Sequence, residues 1–356
     1  MTTTTPAISA EQTAAPPSEG QWAIVWRRFT RHRMAMISLV TLILFLVASL
    51  LASYITPYPR DQFELDRVFL APMERNPDGG LHILGTDHIG RDMFTRIVYA
   101  ARISIILAVA VATLSSLIGI VMGLLAGFFL GWVDMLITRS LEFISTFPLL
   151  PVLLILNSIL LQQPELLPIP GWFVWVLQVS TGVPTTEAVK LALIVITLSV
   201  LLWTGTARLM RGMVLSVREL AYIESSRALG ASNLRIIARH VLPNSLPPLI
   251  VDYTLAINGI LVLESVLSFL GYGVQDPTPT WGNILAIAES NMFNYPWMPL
   301  VPGVPLVICA LAVNFIGDGL RDALDPRMVI GGKGAKKDER KGAKKSAEKK
   351  TTKAAA

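Results

Sequence analysis

Met34–Ile55 is a run of 22 residues without one charged side chain. A helix of about 20 apolar residues crosses roughly 30 Å of hydrocarbon at 1.5 Å per residue. An isolated strand in lipid would leave its backbone groups unpaired, so such a run is expected to cross as a helix. It is not alone. Similar stretches lie at about Ile103–Leu130, Met135–Leu161, Val189–Met210, Ser245–Leu270 and Pro299–Gly317. Composition agrees: 53% of residues are hydrophobic and 15% charged, against about 25% charged in soluble domains, and the mean hydropathy is +0.56. The expectation is an all-α, polytopic membrane protein with six transmembrane helices. Gly119, Gly123 and Gly127 recur every four residues, a spacing that lets helix backbones approach closely. An ordinary packed bundle has the same need, so no function is assigned to them.

The first run is too long for a cleavable signal peptide, and it follows a polar stretch of more than thirty residues. The single cysteine, Cys309, lies in the last run and can form no intrachain disulfide.

Basic residues set the orientation. Arg27, Arg28, Arg31 and Arg33 precede the first run, which places the N-terminus in the cytosol. Six crossings return the C-terminus to the same side. On that topology 23 of the 30 Lys and Arg residues fall on the cytosolic side. The chain then divides into a mostly disordered cytosolic segment (1–33), the first span (34–55), an external segment (56–98), a five-helix core (99–328) and a disordered basic cytosolic tail (329–356). The tail lacks aromatic residues to stack on bases, which argues against nucleic acid. A solvated tail near anionic lipid headgroups is the plainer reading.

Two polar segments carry further information. Outside, Leu84-Gly-Thr-Asp87-His-Ile-Gly90-Arg91-Asp92 offers Thr86 and Asp87 as helix caps and Gly90 as a turn before a helix from Arg91. His82, Asp87, His88 and Asp92 lack repeated ligand spacing and a thiolate, so a structural cap is favoured over a metal site. Inside, residues 216–244 form a charged, helix-compatible stretch. Val217, Leu220, Ala221, Ile223, Ala228 and Leu229 fall largely on one side of a helix over Ser216–Leu229. Gly230 fits a C-cap, Ser232 or Asn233 caps a second helix over Leu234–His240, and Pro243 is expected to stop it. From these residues alone, the stretch is either a handle for a second protein or an amphipathic loop resting on headgroups.

The spacing here resembles a known motif. Glu224-Ser225-Ser226, three residues, Gly230, nine residues, then His240-Val241-Leu242-Pro243 is similar to the coupling motif of ABC-importer permeases. That motif reads Glu-Ala-Ala, three residues, Gly, nine residues, an apolar residue, any residue, Leu-Pro. Ser-Ser replaces Ala-Ala, small for small, and His240 resembles the His-x-Leu-Pro-Asn variant of the peptide-importer branch. Gly85–Asp92, Ala100–Ser104, Glu264–Gly271, Pro279–Gly282 and Asn314–Pro326 resemble the same branch, so the likeness runs from about residue 30 to 328. The segment 164–186, with Trp172 and Trp175, is longer than expected for shorter members and suits an insertion or an interfacial aromatic belt.

The resemblance implies the permease fold of type I ABC importers and a permease subunit for dipeptides or oligopeptides in a bacterial or archaeal cell membrane. It implies a paralogous permease as heterodimer partner, two cytosolic ATP-binding subunits, and an external peptide-binding protein. The coupling residues would be Glu224, Ser225, Ser226, Gly230, His240, Leu242 and Pro243. ATP and Mg would sit on the ATPases. This chain would hold no cofactor, metal or catalytic residue, and it shows no Gly-x-x-x-x-Gly-Lys-Ser/Thr loop. A permease for nickel, glutathione or an oligosaccharide fits the same motifs.

Charges near the spans are candidates by residue type. Glu264 near the outer end of the fifth span is the candidate for pathway or gating. Asp252, Glu142 and Asp318 also qualify, although Glu142, Asp318 and Glu264 lie near helix ends where solvent or a terminus can satisfy them. Asn314–Asp325 reads as a C-cap of the last helix. A secondary transporter would show inverted repeats or mid-membrane ion ligands. An intramembrane enzyme would need a nucleophile–base or metal constellation. Neither is visible, and His32, His82, His88 and His240 all lie outside the apolar runs.

Overall fold

The computed structural model describes residues 20–75 and 80–325. The expected disordered tail (329–356) and the first 19 residues of the expected disordered segment (1–33) lie outside the described residues. The N-terminal segment is not featureless within them. Helix α1 (Gln21–Phe29) precedes α2 (Arg33–Leu50), and one further turn, α3 (Ala52–Ile55), ends the first span. His32 opens α2, its ring accepting the Ala35 amide at 3.1 Å.

The external segment carries a two-residue antiparallel ladder, β1 (Glu74–Arg75) with β2 (Leu81–His82). Helix α4 (Met93–Phe129) follows and runs about 55 Å at 1.5 Å per residue. It begins ten residues before the apolar run. Its cap is Asp92 rather than Thr86 or Asp87, with the Asp92 carboxylate accepting the Thr95 amide at 2.8 Å.

The expected third span is broken. Helix α5 (Gly131–Thr146) and α6 (Leu149–Gln162) meet at 88°. The residue before a proline is pushed out of the α region, and Phe147 is accordingly extended in front of Pro148. Among the described residues, five single helices are long and apolar enough to cross a membrane, or six spans if the bent pair is counted as one. A 3-10 turn (Pro164–Leu166) and α7 (Gly171–Thr181) fill the segment 164–186. Trp172 and Trp175 lie exposed on α7.

Helix α8 (Thr185–Arg218) packs along α4 over most of its length. A Cβ on Gly119 would lie 2.7 Å from the Thr206 Cβ, one on Gly123 2.5 Å from the Ala207 carbonyl oxygen, and one on Gly127 2.7 Å from the Val214 Cβ. The four-residue glycine spacing is therefore the seam of the bundle.

After α9 (Ala221–Ala228) and α10 (Asn233–Ile236), a π-helical turn (Ile237–Val241) leads without a stop into α11 (Leu242–Phe269). Pro243 does not end the helix. It sits in the first turn of α11, where its missing amide is least costly, and the widened π turn precedes it. Side chains cover nearby carbonyls: the Asn244 amide donates to His240 O at 2.6 Å and the Ser245 hydroxyl to Val241 O at 2.9 Å. Helix α12 (Trp281–Ser290) is short and α13 (Leu300–Leu324) is the last span. Asn314–Leu324 is the body of α13, not its cap; Asp325 alone is the C-cap.

Candidate functional site

The coupling segment differs from the sequence expectation at both ends. Ser216–Arg218 belong to α8; the chain breaks at Glu219-Leu220 and restarts as α9 at Ala221. The Arg218 guanidinium donates to the carbonyls of Gly127 and Phe128 at 3.2 and 3.3 Å, closing the end of α4. Helix α9 then ends on Gly230 at φ +79. Gly230 N–H bonds to Arg227 O at 2.9 Å and Ala231 N–H to Ser226 O at 3.0 Å. This paired pattern needs a left-handed residue at its turn, which glycine supplies without strain. Nothing lies within 4 Å of where a Cβ would stand, so the demand on Gly230 is conformational rather than steric. Ser232 caps α10, accepting the Arg235 amide at 3.4 Å.

The expected one-sided apolar stripe is split. Ile223, Ile236 and Val241 are fully buried, in a cluster with Phe128, Met210, Val214, Val217 and Leu249 from the ends of α4, α8 and α11. Leu220, Ala221, Ala228 and Leu229 face outward, Leu229 with 88% of its surface exposed and Leu234 beside it with 76%. Glu224, Ser225, Gly230 and Pro243 are also exposed, Ser226, His240 and Leu242 half-buried. The hydroxyls of Ser225 and Ser226 turn back onto Ala221 O and Tyr222 O at 2.9 and 2.7 Å. They behave as small residues with no outward hydrogen-bond demand.

Three contacts that motif reading did not find tie the knob down. The Tyr222 ring packs against His240, centroids 5.7 Å apart, and the Asn244 amide donates to the Tyr222 hydroxyl at 3.1 Å. The Arg227 guanidinium lies 5.5 Å over the Phe128 ring. Only tertiary structure brings Phe128, a hundred residues upstream, under Arg227. The exposed knob is thus pinned by a few side chains to the ends of α4, α8 and α11.

At the far end of α4 a denser arrangement stands. Asp87 is 1% exposed at its side chain; its carboxylate accepts the Arg91 Nε at 2.7 Å and the amides of Ile89 and Arg91 at 3.0 Å. Arg91 and Arg96 both reach Asp276, Arg96 at 2.6 Å. His82 pairs with Asp92 at 2.8 Å and stacks under Tyr58. His88 is exposed and turns to none of them. The expected structural cap is what these residues build, and among the described residues no three His, Cys, Asp or Glu side chains gather as metal ligands. Burial alone would raise the Asp276 carboxyl, but the guanidiniums of Arg96 and Arg91 hold it below the usual carboxylate range.

Glu264 is not satisfied by solvent or a helix terminus. It is fully buried on α11, with Ser268 Oγ donating to one carboxylate oxygen at 2.6 Å. Ser268 in turn accepts the Val274 amide at 2.9 Å. The loop to α12 is drawn tight against α11: a Cβ on Gly282 would run into the Ser265 carbonyl. Asp252 accepts the Thr206 hydroxyl at 2.7 Å, Glu142 pairs with Arg139 on the surface of α5, and Asp318 is exposed on α13.

Residues 119–330 match the family model described as "Binding-protein-dependent transport system inner membrane component", and residues 20–72 match "N-terminal TM domain of oligopeptide transport permease C". A putative peptide transport system permease protein of Brucella abortus is 35% identical over 306 residues, 86% of this chain and 92% of that one. The glutathione transport system permease protein GsiD of Pectobacterium atrosepticum is 32% identical, over 92% and 97%. The dipeptide transport system permease protein DppC of Alkalihalophilus pseudofirmus is 31% identical, over 91% and 97%. Among solved structures, an inward-facing methionine ABC transporter, MetNI, is similar at a TM-score of 0.44 and 20% identity, covering 65% of this chain and 98% of that chain. The chain belongs to the family of binding-protein-dependent transport system inner membrane components. It is a multi-pass membrane permease subunit.

Proposed function

We propose that this chain forms one half of the translocation pathway of an ATP-driven importer, opposite a paralogous permease, and that two cytosolic ATPases drive it through the α9–Gly230 knob. The observation that carries this reading is the split of the knob into an exposed apolar–acidic tip (Leu229, Leu234, Glu224) and an anchored base (Ile223, Ile236, Val241). A partner that grips the tip moves the ends of α4, α8 and α11 together, as a rigid-body transition requires. Glu224, Ser225, Ser226, Gly230, His240, Leu242 and Pro243 take the coupling role, the serines by letting the partner approach closely. ATP and Mg belong on the ATPases, and this chain is proposed to hold no cofactor of its own. Both termini are assigned to the cytosol of a bacterial cell, and the charge cluster around Asp276 to the outer face, where an external binding protein delivers cargo. Glu264, buried behind the outer loop, is assigned to gating rather than to cargo contact.

The cargo reading is a dipeptide or oligopeptide, supported by relatives named for peptide and dipeptide transport at 31–35% identity. Glutathione, itself a short peptide, is the second reading, supported by a relative that covers 92% of the chain. Purification in mild detergent is expected to bring down two ATPase chains and a second permease; a stable homodimer alone would overturn the assembly. Uptake of dipeptides, longer peptides and glutathione into proteoliposomes separates the cargoes, since only the true class drives ATP-dependent accumulation.

A further inference from the structure

The break in the third span opens a cavity. Asp134, near the start of α5, meets Arg211 toward the inner end of α8, and Leu161, near the end of α6, borders the same recess as Glu187 and Lys190 at the outer end of α8. The pair therefore climbs the depth of the bundle, and its break at Phe147-Pro148 falls midway. There a cavity of about 640 Å³ lies between the break and the middle of α8. Phe143, Phe147, Val152 and Leu201 give it apolar walls, and Ser145 and Thr204 supply hydroxyls. The two phenylalanines meet edge to face, centroids 5.1 Å apart, and Phe143 keeps 66% of its surface exposed. Gly205 completes the lining, and nothing lies within 4 Å of where its Cβ would stand.

Arg208 stands at the edge of this cavity, one turn beyond Thr204. Side chains on a helix lean toward its N-terminus, and Arg208 donates to the Ser145 hydroxyl and to Leu141 O at 3.5 Å. The acids around it are taken. Asp134 holds Arg211 through two bonds, at 2.6 and 2.8 Å, and Glu142, next to Leu141 in the chain, pairs with Arg139 at 2.6 Å. Among the described residues no carboxylate pairs with Arg208, which stays exposed. A cation left over within a membrane helix marks a functional site by default. Lipid is a poor occupant here, because α6 starts without a side-chain cap. Non-helical backbone at this depth is tolerated only inside protein or against a water-filled cavity.

We propose that this cavity holds the C-terminal residue of the cargo peptide: an apolar side chain enters between Phe143, Phe147 and Leu201, and Arg208 takes the terminal carboxylate. The volume falls within the roughly 300–1,000 Å³ of small-ligand sites, whose walls are mostly apolar with a few placed polar groups. A guanidinium meets a carboxylate through two parallel hydrogen bonds, which fixes the end of the peptide. Cargo held midway beside a broken helix can be presented to either side by one rocking motion, the solution that secondary transporters also use. The inference rests on the peptide reading of the cargo and adds which end of the peptide this chain holds.

The test is ATP-dependent uptake by the whole complex in proteoliposomes, with Ala-Phe and Ala-Ala as cargoes. Arg208→Gln keeps a donor for Ser145 and Leu141 but loses the charge. KM for both peptides should rise roughly tenfold or more, as loss of a hydrogen bond to a charged group does, with kcat moving far less. Arg208→Lys should recover most of the loss. Gly205→Leu fills the cavity without a clash at its Cβ, and it should raise KM for Ala-Phe several-fold more than KM for Ala-Ala. A wild-type complex that accumulates neither peptide overturns the peptide reading, and the subsite with it. Uptake of both peptides with KM unmoved in the variants overturns the subsite alone, as does a fall in kcat alone or a Gly205→Leu effect equal for the two cargoes. Loss of the second permease when Gly205→Leu is purified also overturns it, and assigns the cavity to the contact between subunits.

Discussion

The two ends of α4 are built on opposite principles. At its start, Asp87, Arg91, Arg96 and Asp276 form a knot in which the two guanidiniums are 6% and 1% exposed and each meets a carboxylate. At its end, the α9 knob shows Leu229 and Leu234 to the surroundings and is held by three buried aliphatic side chains, a ring contact and a cation over Phe128. Charge pairs buried together resist separation, because parting them leaves an uncompensated charge. Exposed leucines on a short, lightly held helix invite a partner instead. One helix therefore links an end that must keep its shape to an end that can be gripped. That contrast sets what each end should lose when it is damaged.

The largest effect on stability is expected at the knot. Arg96→Met removes a buried cation and leaves Asp276 with Arg91 alone. Breaking a buried pair costs about 3–5 kcal/mol; the 42% exposure of the Asp276 side chain reduces this to about 2 kcal/mol. Thermal unfolding in detergent should show the drop, and an unchanged melting temperature would mean that the knot is ornamental. The buried carboxyl of Glu264 gives the next effect. Glu264→Leu leaves the Ser268 hydroxyl without its acceptor, a loss of about 1–3 kcal/mol. Glu264→Gln keeps an acceptor and should melt close to wild type.

At the knob the order of consequences reverses. Gly230→Val forces a β-branched residue into φ +79 and should cost about 1–2 kcal/mol, confined to the turn. Leu229→Ser/Leu234→Ser should leave stability within about 0.5 kcal/mol, as exposed positions do. Both variants should nevertheless reach the membrane and lose ATP-dependent uptake. Retention of full uptake by the leucine variant would show that the tip is not the gripped surface.

How much of this was legible in the sequence follows from the range of the interactions. The spans were legible because hydropathy is a local property of 20 residues, and the Gly119–Gly127 seam because its period is local too. The Gly230 turn was legible because a left-handed C-cap selects glycine at one position. The break at Phe147 had a local sign, Pro148, that the apolar run concealed. Pro243 misled for the opposite reason: it falls in the first turn of α11, directly after the π turn, where a missing amide is tolerated and the helix runs on. Arg96–Asp276 spans 180 residues and Arg227–Phe128 about a hundred, so no periodicity could announce either. The amphipathic split of α9 was missed because helical spacing places Leu229 on a face without saying whether that face is covered.

Acid gives the gentlest test of the difference between the two ends. Arg96 and Arg91 hold the Asp276 carboxyl below its ordinary value of 3.8, against the upward pull of burial. A group whose folded value lies below its unfolded one binds fewer protons when folded, so its stabilisation is complete above the unfolded value and is lost as pH falls through the folded one. The contribution of the knot should therefore be constant from neutral pH down to about 4. It should fade only below that, and by no more than about 1 kcal/mol given the partial exposure of Asp276. Asp276→Asn removes the titrating group while keeping a polar side chain between the guanidiniums. Its melting temperature should lie below wild type at pH 7, and the gap should narrow as both are taken below pH 4. A gap that widens on acidification would mean that Asp276 is held in its protonated form, and the knot would then owe its hold to packing rather than to charge.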